Sequence, residues 1–586
     1  AAEPGSLAHL RSVSNIFVNS GANRLTAFGI YLLCSVAFFG RLVVRDPYHF
    51  YVGTTTDPSI YIWSLEWWPY AIWHGLNPFW THAVWAPYGI NLAWVTSIPA
   101  LSILTWPITT RFGPVAAYNL LALMIPAVNG WACYLLCRHV SKSFVPALVG
   151  GWIFAFSPYS LGQTHAHLVE NLTFAAPLAV YLVLLRLDRR IGTSVYAGCL
   201  GLLLAFQLGV ATEIFATMTL FGAIAWLLAR WFGVDRGAMR QLELPTIAAY
   251  LIALVLASPL LYYVFAFGTP AHSLNSPRAY SSDLLNFLLP TSTTLVHCPH
   301  RLAFVCAKFS TNSFEAAAYI SPALILIFAA WVREHWGEAL QRFLLTMFMI
   351  IAICSLGPRL HIAGHDIIDL PWAVVRHLPL INSALPARFM AFAFLVAAII
   401  VSLWLAEGTA SAPVRIALGL AAIAFLLPNP SAQYWNTKVD TPAFFSDAMY
   451  QQWLVRDENV LIIPYGPKGN SVLWQAQSHM WFNMAGGHLG PKRPSEFERW
   501  PVVVALLNDT LPSDYGEQLR AFLAAFDVRN IIIADGYMGP WSDAIVSQAL
   551  GNEPVRIGGV KLYRAPQETA SKVASAEFKQ AARSCR

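Results

Sequence analysis

The stretch TAFGIYLLCSVAFFGRLVVRDPYHFYVGTTTDPSIYIWSLEWW, residues 26–68, decides how the rest of the chain is read. Its first part, 26–43, is apolar apart from Arg41 and approaches the roughly 20 residues that cross a bilayer. A polar turn follows, and then Asp57 and Glu66 stand among Tyr61, Trp63, Trp67 and Trp68. Thr56 or Asp57 suits the N-cap of a helix starting at Pro58, a favoured first helical position. The same geometry aims a carboxylate from a rigid helix start, and a positioned carboxylate can take a proton from a hydroxyl or an amine. Glu66 lies nine residues on, in a segment with four tryptophans between 63 and 73. That aromatic density predicts a helix lying in the membrane interface, with Glu66 as part of its anchor.

The composition agrees with a membrane setting. The 586 residues are 56% hydrophobic and only 12% charged, with mean hydropathy +0.51, whereas soluble proteins carry about 25% charged residues. The fold class is a polytopic α-helical membrane protein. The net charge of +6 is spread thinly and reads as topology, so nucleic acid is excluded as a partner. No signal-peptide pattern with a cleavage site precedes the first apolar run. Cys34, Cys133, Cys137 and Cys199 fall inside apolar segments and Cys354 at the end of one, as packing residues. Cys298 and Cys306 share the polar loop CPHRLAFVC, where an extracytoplasmic location favours a disulfide.

Eleven apolar runs are candidate spans: 26–43, 115–137, 144–158, 171–186, 194–209, 211–231, 246–267, 316–332, 343–357, 389–407 and 413–428. The run 97–110 is short, carries two prolines, and reads as interfacial or re-entrant. Basic residues collect around Arg11 and Arg24, Arg138 and Lys142, 186–190, 229–240 and 332–342. These clusters share one side only if 97–110 does not cross, which makes the N-terminus cytoplasmic and the tail extracytoplasmic. The organisation is then a cytoplasmic segment 1–25, a transmembrane domain 26–428, an extracytoplasmic α/β domain 429–566 and a tail 567–586. In the α/β domain NVLIIPYG (459–466), VRNIIIADG (528–536) and GVKLYRA (559–565) read as strands, and 443–455, 514–526 and 540–550 as helices.

The ionisable residues that merit a chemical reading gather on the external side, where charges at a membrane edge are functional candidates. Besides Asp57 they include His165, His167 and Glu170 in GQTHAHLVEN, Glu213 at a turn between spans, and Glu315 at the start of the eighth span. His165 and His167 share a side only in extended backbone. With Glu170 they make either a metal set of the His/carboxylate type or a polar lining of a cavity. Arg278 and Asp283 lie in SPRAYSSDLLNFLLPT, and Arg359, His361, His377 and Arg388 follow. Arg278 and Arg388 suit a phosphate at the membrane surface, because the guanidinium fork matches phosphate oxygens. The alternative for each is a headgroup contact or an internal ion pair, with Asp283 as a partner. In the tail His479, His488 and Trp474 cluster in a loop-rich region. No P-loop, GxSxG, HExxH or CxxC occurs, and the sequons NLT at 171 and NDT at 508 are unspecific.

With these residues in place the chain resembles the GT-C superfamily of polytopic, polyprenyl-phosphate-sugar-dependent glycosyltransferases, which includes protein mannosyltransferases and aminoarabinose transferases. The likeness lies in the layout: a first span, a long external loop with an acid near its start, then interfacial helices. GPVAAYNLLALM, FAFSPYSLGQTHAH, AYSSDLLNFLLPT, LPARF and AAFDVRNIIIADG followed by GGVKLYR resemble bacterial relatives of that class. The resemblance implies that Asp57 is the catalytic base. Where the family often has two adjacent acids, this chain has Asp57-Pro58. It further implies an undecaprenyl or decaprenyl phosphate sugar as donor and a glycan, lipid or protein as acceptor, with His165, His167, Glu170, Glu213, Arg278, Asp283, Glu315 and Arg388 lining the substrate site. The location implied is the inner membrane, with the site facing the periplasm. No resident metal is required, and a divalent cation is left open as a cofactor. Two other readings stand beside it: a lipid or glycan transporter, and a catalytically degenerate glycan-binding member. A reporter fused after Trp94 is expected on the extracytoplasmic side, and a cytoplasmic signal overturns this topology.

Overall fold

Helix is present in every one of the eleven apolar runs. The computed structural model describes residues 5–233, 236–267, 275–375 and 383–566; His377 and the tail 567–586 lie outside the described residues. The chain opens with α1 (Gly5–Phe39), α2 (Asp57–Trp73), α3 (Pro99–Ser141), α4 (Phe144–Ala155) and α5 (Pro158–Ala166). Six helices among the described residues are long and apolar enough to cross a membrane, or seven if α4 and α5, bent by 45°, form one broken span. Thr193–Leu208, Ala339–Ser355 and Ala412–Phe425 are apolar but shorter.

Two breaks follow from local chemistry. The run 97–110 is helical and joins the next span within α3, across Gly113, whose φ of 82° and ψ of 163° no helix contains. Pro114 then starts the second part, because its ring fixes φ and needs no N–H partner there. Between α4 and α5 the Ser157 side chain accepts from Ser160 N and Pro158 occupies the first turn. The expected loop around 158–170 is therefore helix, in α5 and in Leu168–Asn171.

The aromatic helix α2 does not lie open on the surface of the protein. It is buried from Pro58 to Ala71 except for partly exposed Glu66 and Tyr70. Nor is it capped as expected: Thr56 makes no side-chain cap bond, and Asp57 is the first helical residue. One side of α2 packs on α3, with Tyr61 stacked on Tyr118 at 6.4 Å. The other meets the tail. Trp63 Nε1 donates to Gln475 Oε1 at 2.7 Å, and Glu66 faces His479 at 2.8 Å. Tryptophan is amphipathic and serves a protein interface as readily as a membrane one, so composition alone does not separate the two.

Short strands staple the first loop to the tail. β1 (Phe50–Val52) pairs antiparallel with Asn436–Lys438, β2 (Trp80–Thr81) pairs with β3 (Ile90–Asn91), and β4 (Arg359–Ile362) pairs with β5 (His365–Asp369). Naming Asn436–Lys438 β6, the tail adds β7 (Asn459–Ile463), β8 (Asn483–Met484), β9 (Val528–Ala534), β10 (Val555–Ile557) and β11 (Val560–Arg564). These form one five-stranded sheet in the order β10-β11-β9-β7-β8, parallel for β8, β7 and β9 and antiparallel beyond. The apolar runs expected as strands are its central members, while β8 and β10 are too short to show a pattern. The expected helix 443–455 is two short ones, Ala443–Ser446 and Tyr450–Trp453.

The sheet and the first loop share backbone hydrogen bonds. Met484 N donates to Ala83 O at 2.9 Å, Ala86 N to Met484 O at 2.9 Å, Trp85 N to Gly486 O at 2.8 Å and Thr96 N to Leu489 O at 2.9 Å. Gln475 completes the seam, its Nε2 donating to Ala83 O and Phe482 O at 2.7 Å each. Cys298 and Cys306 form a disulfide. Replacing Gln475 by Ala strands the buried Trp63 indole N–H and the Phe482 carbonyl, while Ala83 O keeps its bond from Met484 N, so a loss of about 2–4 kcal/mol is expected. Limited proteolysis and denaturation midpoints of wild type and Gln475→Ala measure it; unchanged protection of the tail contradicts this account of the seam.

Candidate active site

The site is assembled from helix ends. Glu170 lies in the short turn Leu168–Asn171, Glu213 in the first turn of Thr212–Trp231, and Glu315 ahead of Pro322–Glu334. Arg388 lies in the turn Pro386–Phe389 that leads into Met390–Glu407. The guanidinium is buried and meets all three carboxylates. Nη2 and Nε donate to Glu315 Oε1 at 2.6 and 2.9 Å, and Nη1 donates to Glu213 Oε2 at 2.8 Å and Glu170 Oε1 at 3.3 Å. Glu213 also accepts from Leu385 N at 2.8 Å, and Glu170 from the Tyr61 hydroxyl at 3.4 Å.

His167 joins this cluster to Asp57. Its Nε2 is 3.2 Å from Asp57 Oδ2, and its Nδ1 is 2.8 Å from Gln163 Oε1 and 3.5 Å from Glu315 Oε1. Gln163 is oriented by donating its Nε2 to Glu315 Oε2 at 3.1 Å, which leaves its oxygen toward the ring. Both imidazole nitrogens then face acceptors, an arrangement that favours the protonated ring against the cost of its burial. Asp57 is the open member of the chain: its side chain is 34% exposed, against 17% for His167 and 1% for Glu315.

His165 parts from His167. It is buried, 4.5 Å from the Trp435 ring and 4.4 Å from the Tyr434 ring, and its Nδ1 is 2.9 Å from Thr54 Oγ1. Its carbonyl accepts from Thr54 N at 2.9 Å. This close pass needs Gly53, whose φ is +116° and where a Cβ would lie 2.8 Å from His165 O. His165 is thus a strut under the loop that presents Asp57, and the lining role expected for it is corrected. The helical backbone of α5 points the two histidines apart, so the metal set of His165, His167 and Glu170 does not form. Among the described residues no group of three or more His, Cys, Asp or Glu side chains is placed to hold a metal ion.

Arg278 and Asp283 belong to a different structure, the β4–β5 hairpin. Arg278 pairs with Asp366, which also receives Arg359 at 3.3 Å and His361 at 2.7 Å. Asp283 does not pair with Arg278. It is buried and accepts from Leu285 N at 3.0 Å, Ala363 N at 3.1 Å and Gly364 N at 2.7 Å. Arg388 likewise has its guanidinium taken up by carboxylates, those of Glu170, Glu213 and Glu315.

The tail brings further basic residues over the first loop. The tail segment GGHLGPKR, 486–493, folds over the first loop between β8 and Pro494, and Leu489 O accepts from Thr96 N. His488 faces Asp57 and Arg493; burial pushes its imidazole down while Asp57 opposes that. Lys492 Nζ lies 5.7 Å from the Trp94 ring, and burial lowers its pKa. Sequence reading had named His488 but not Lys492 or Arg493. The signal was the run itself, glycines interleaved with basic residues, which resembles a backbone nest for an anion.

A family model described as a domain of unknown function (DUF6311) matches residues 28–427. The chain belongs to this family. No curated protein matches it in sequence. Its fold is GT-C, shown by solved structures of glycosyltransferases. The arabinofuranosyltransferase AftD from Mycobacteria aligns with TM-score 0.52 and 13% identity over 92% of this chain and 40% of that one. The chain therefore spans less than half of that enzyme's length. The oligosaccharyltransferase AglB from Archaeoglobus fulgidus, solved with an inhibitory peptide and a dolichol-phosphate, gives 0.51 and 12% over 95% and 77%. ArnT from Cupriavidus metallidurans gives 0.50 and 11% over 96% and 99%. The chain is thus an integral membrane protein of GT-C architecture.

Removing one partner from a buried ion group costs about 3–5 kcal/mol. Arg388→Ala is therefore expected to fall by at least that much, seen as lost folded yield in detergent. Arg388→Met combined with Glu213→Gln and Glu315→Gln is expected to recover much of it; no recovery means the charges are not what fails.

Proposed function

We propose that the protein is a membrane glycosyltransferase that moves a sugar from a polyprenyl-phosphate donor to an extracytoplasmic acceptor, with Asp57 as general base. The observation that carries this reading is the position of Asp57: the exposed carboxylate at a helix start, pinned through Oδ2 by His167, in a chain of GT-C fold. In the proposed step an acceptor hydroxyl gives its proton to Asp57, its oxygen bonds to the anomeric carbon, and the bond from that carbon to the phosphate oxygen breaks with inversion. The lipid phosphate leaves with both electrons of that bond. Lys492, Arg493 and His488 are proposed to meet its charge, since Arg388 and Arg278 are engaged by carboxylates. Arg388, Glu170, Glu213, Glu315 and His167 position Asp57.

We further propose eleven crossings in an inner membrane, a cytoplasmic N-terminus, and the divisions 1–25, 26–428, 429–566 and 567–586, with the site and the tail on the periplasmic face. The one-sided basic clusters and the disulfide in the loop after the seventh run support this side. The dolichol-phosphate in the archaeal neighbour supports a lipid-phosphate donor. The acids that meet Arg388 gather at one end of the bundle, which favours a transferase over a transporter. The positive charge among the acids is a guanidinium, so a divalent cation is proposed as dispensable.

The test is turnover with radiolabelled polyprenyl-phosphate sugars and a panel of glycan, lipid and peptide acceptors. Asp57→Asn is expected to lower transfer by about 10²–10⁴-fold, with wild-type transfer persisting in EDTA. Equal transfer by both proteins removes Asp57 as the base. Loss in EDTA restored by magnesium or manganese makes Asp57 a cation ligand instead. No transfer with any donor favours the transporter or glycan-binding readings.

A further inference from the structure

A second site lies at the other end of α2. Between its C-terminal half, the β2 region and the tail is a cleft of about 300 Å³, of the size that holds a small ligand. Its floor is aromatic: Trp67, stacked on Trp63 at 5.5 Å, with partly exposed Tyr70 and Trp80. Its rim is polar, with Asp457, Asn483 and His82. Each rim group keeps an atom that has no partner among the described residues: the Asp457 carboxylate, Asn483 Oδ1 and His82 Nε2. The Asp457 carboxylate is exposed and in no ion pair among the described residues, whereas its backbone carbonyl accepts from Asn483 Nδ2 at 2.8 Å. His82 Nδ1 sits 2.9 Å from Pro87 O, so Nε2 is the nitrogen left for a ligand.

The backbone around the cleft is costly to hold. Asp457 and Met480, both lining it, and His479 beside them have φ of 62°, 55° and 49° without being glycine. Such residues persist where surrounding structure enforces them, and they concentrate at ligand sites. Here the enforcing contacts are the Asn483 bond and the His479–Glu66 pair.

We propose that this cleft binds carbohydrate, holding a sugar unit of the acceptor glycan. A sugar ring offers an apolar C–H face, which stacks on indole and phenol rings, and an edge of hydroxyls, which donate to a carboxylate and an amide oxygen. A purely apolar ligand would leave the Asp457, Asn483 and His82 groups unused. An anionic one would meet the Asp457 carboxylate, while the nearby Arg456 is held between the Tyr70 hydroxyl at 3.3 Å and the Trp481 ring at 5.1 Å. The ligand is therefore a neutral oligosaccharide. Asp57 lies ten to thirteen residues away on the same helix, about 15–20 Å at 1.5 Å per residue, which is the separation an acceptor held at the cleft would have to bridge. Naming the acceptor as a glycan rests on the proposed transferase reading; binding itself does not.

The experiment measures binding of full-length detergent-purified protein to an array of neutral, acidic and amino-sugar oligosaccharides. Three proteins are compared: wild type, Trp80→Ala and Asp457→Asn, each checked for an unchanged thermal midpoint. Wild type is expected to bind a neutral oligosaccharide. Trp80→Ala and Asp457→Asn are expected to weaken it tenfold or more. No oligosaccharide bound by wild type, equal binding by all three proteins, or displacement of the glycan by a peptide overturns the proposal. Because binding is read without turnover, inactivity in the transfer assay leaves this result standing and fails only the transferase reading.

Discussion

The structure depends on burying one guanidinium. Arg388 is almost out of water, and its charge is tolerable only because Glu170, Glu213 and Glu315 come to it from three separate parts of the chain. Those parts are the ends of helices that lie far apart in sequence. The ion group therefore holds one end of the bundle in register and places the acids in a single layer. The carboxylates outnumber the guanidinium, and the surplus is shared with His167, through which the layer reaches Asp57. Asp57 is thus the exposed end of a chain of charges whose other members are held rigid.

A second constraint is the seam between the first loop and the tail. Trp63 is anchored by Gln475, Glu66 by His479, and residues 83–96 by backbone bonds to 484–489. Neither side has a complete core without the other. The seam folds the basic segment 486–493 over the first loop and creates the aromatic cleft at the far end of α2. One helix so carries both features: a carboxylate at its start and an aromatic floor near its end.

Much of the architecture was legible because it rests on local pattern. Apolar runs of near-bilayer length became helices, and the runs NVLII and VRNIIIA became the parallel core strands β7 and β9. Where pattern misled, the reason is physical. Tryptophan density in α2 marked an amphipathic surface, and its partner is protein in place of headgroups. His165 and His167 differ by two positions, and the helical turn of α5 sends one to Trp435 and the other to Asp57. Arg388 and Arg278 carry the fork that suits a phosphate, but each is engaged by carboxylates that sequence distance hides. Lys492 and Arg493 were passed over because nothing local ties residue 492 to residue 57.

By itself the sequence determined a membrane chain, its helical runs, the core strands of its tail, and Asp57 as an acid at a helix start. Those properties follow from hydropathy, periodicity and turn chemistry, which act over a few residues. Only the tertiary structure decided which charges neutralise one another, that α2 is buried between bundle and tail, and that His167 is the partner of Asp57. Electrostatic pairing in a dry interior is set by which helix ends meet, and that depends on how the whole chain packs.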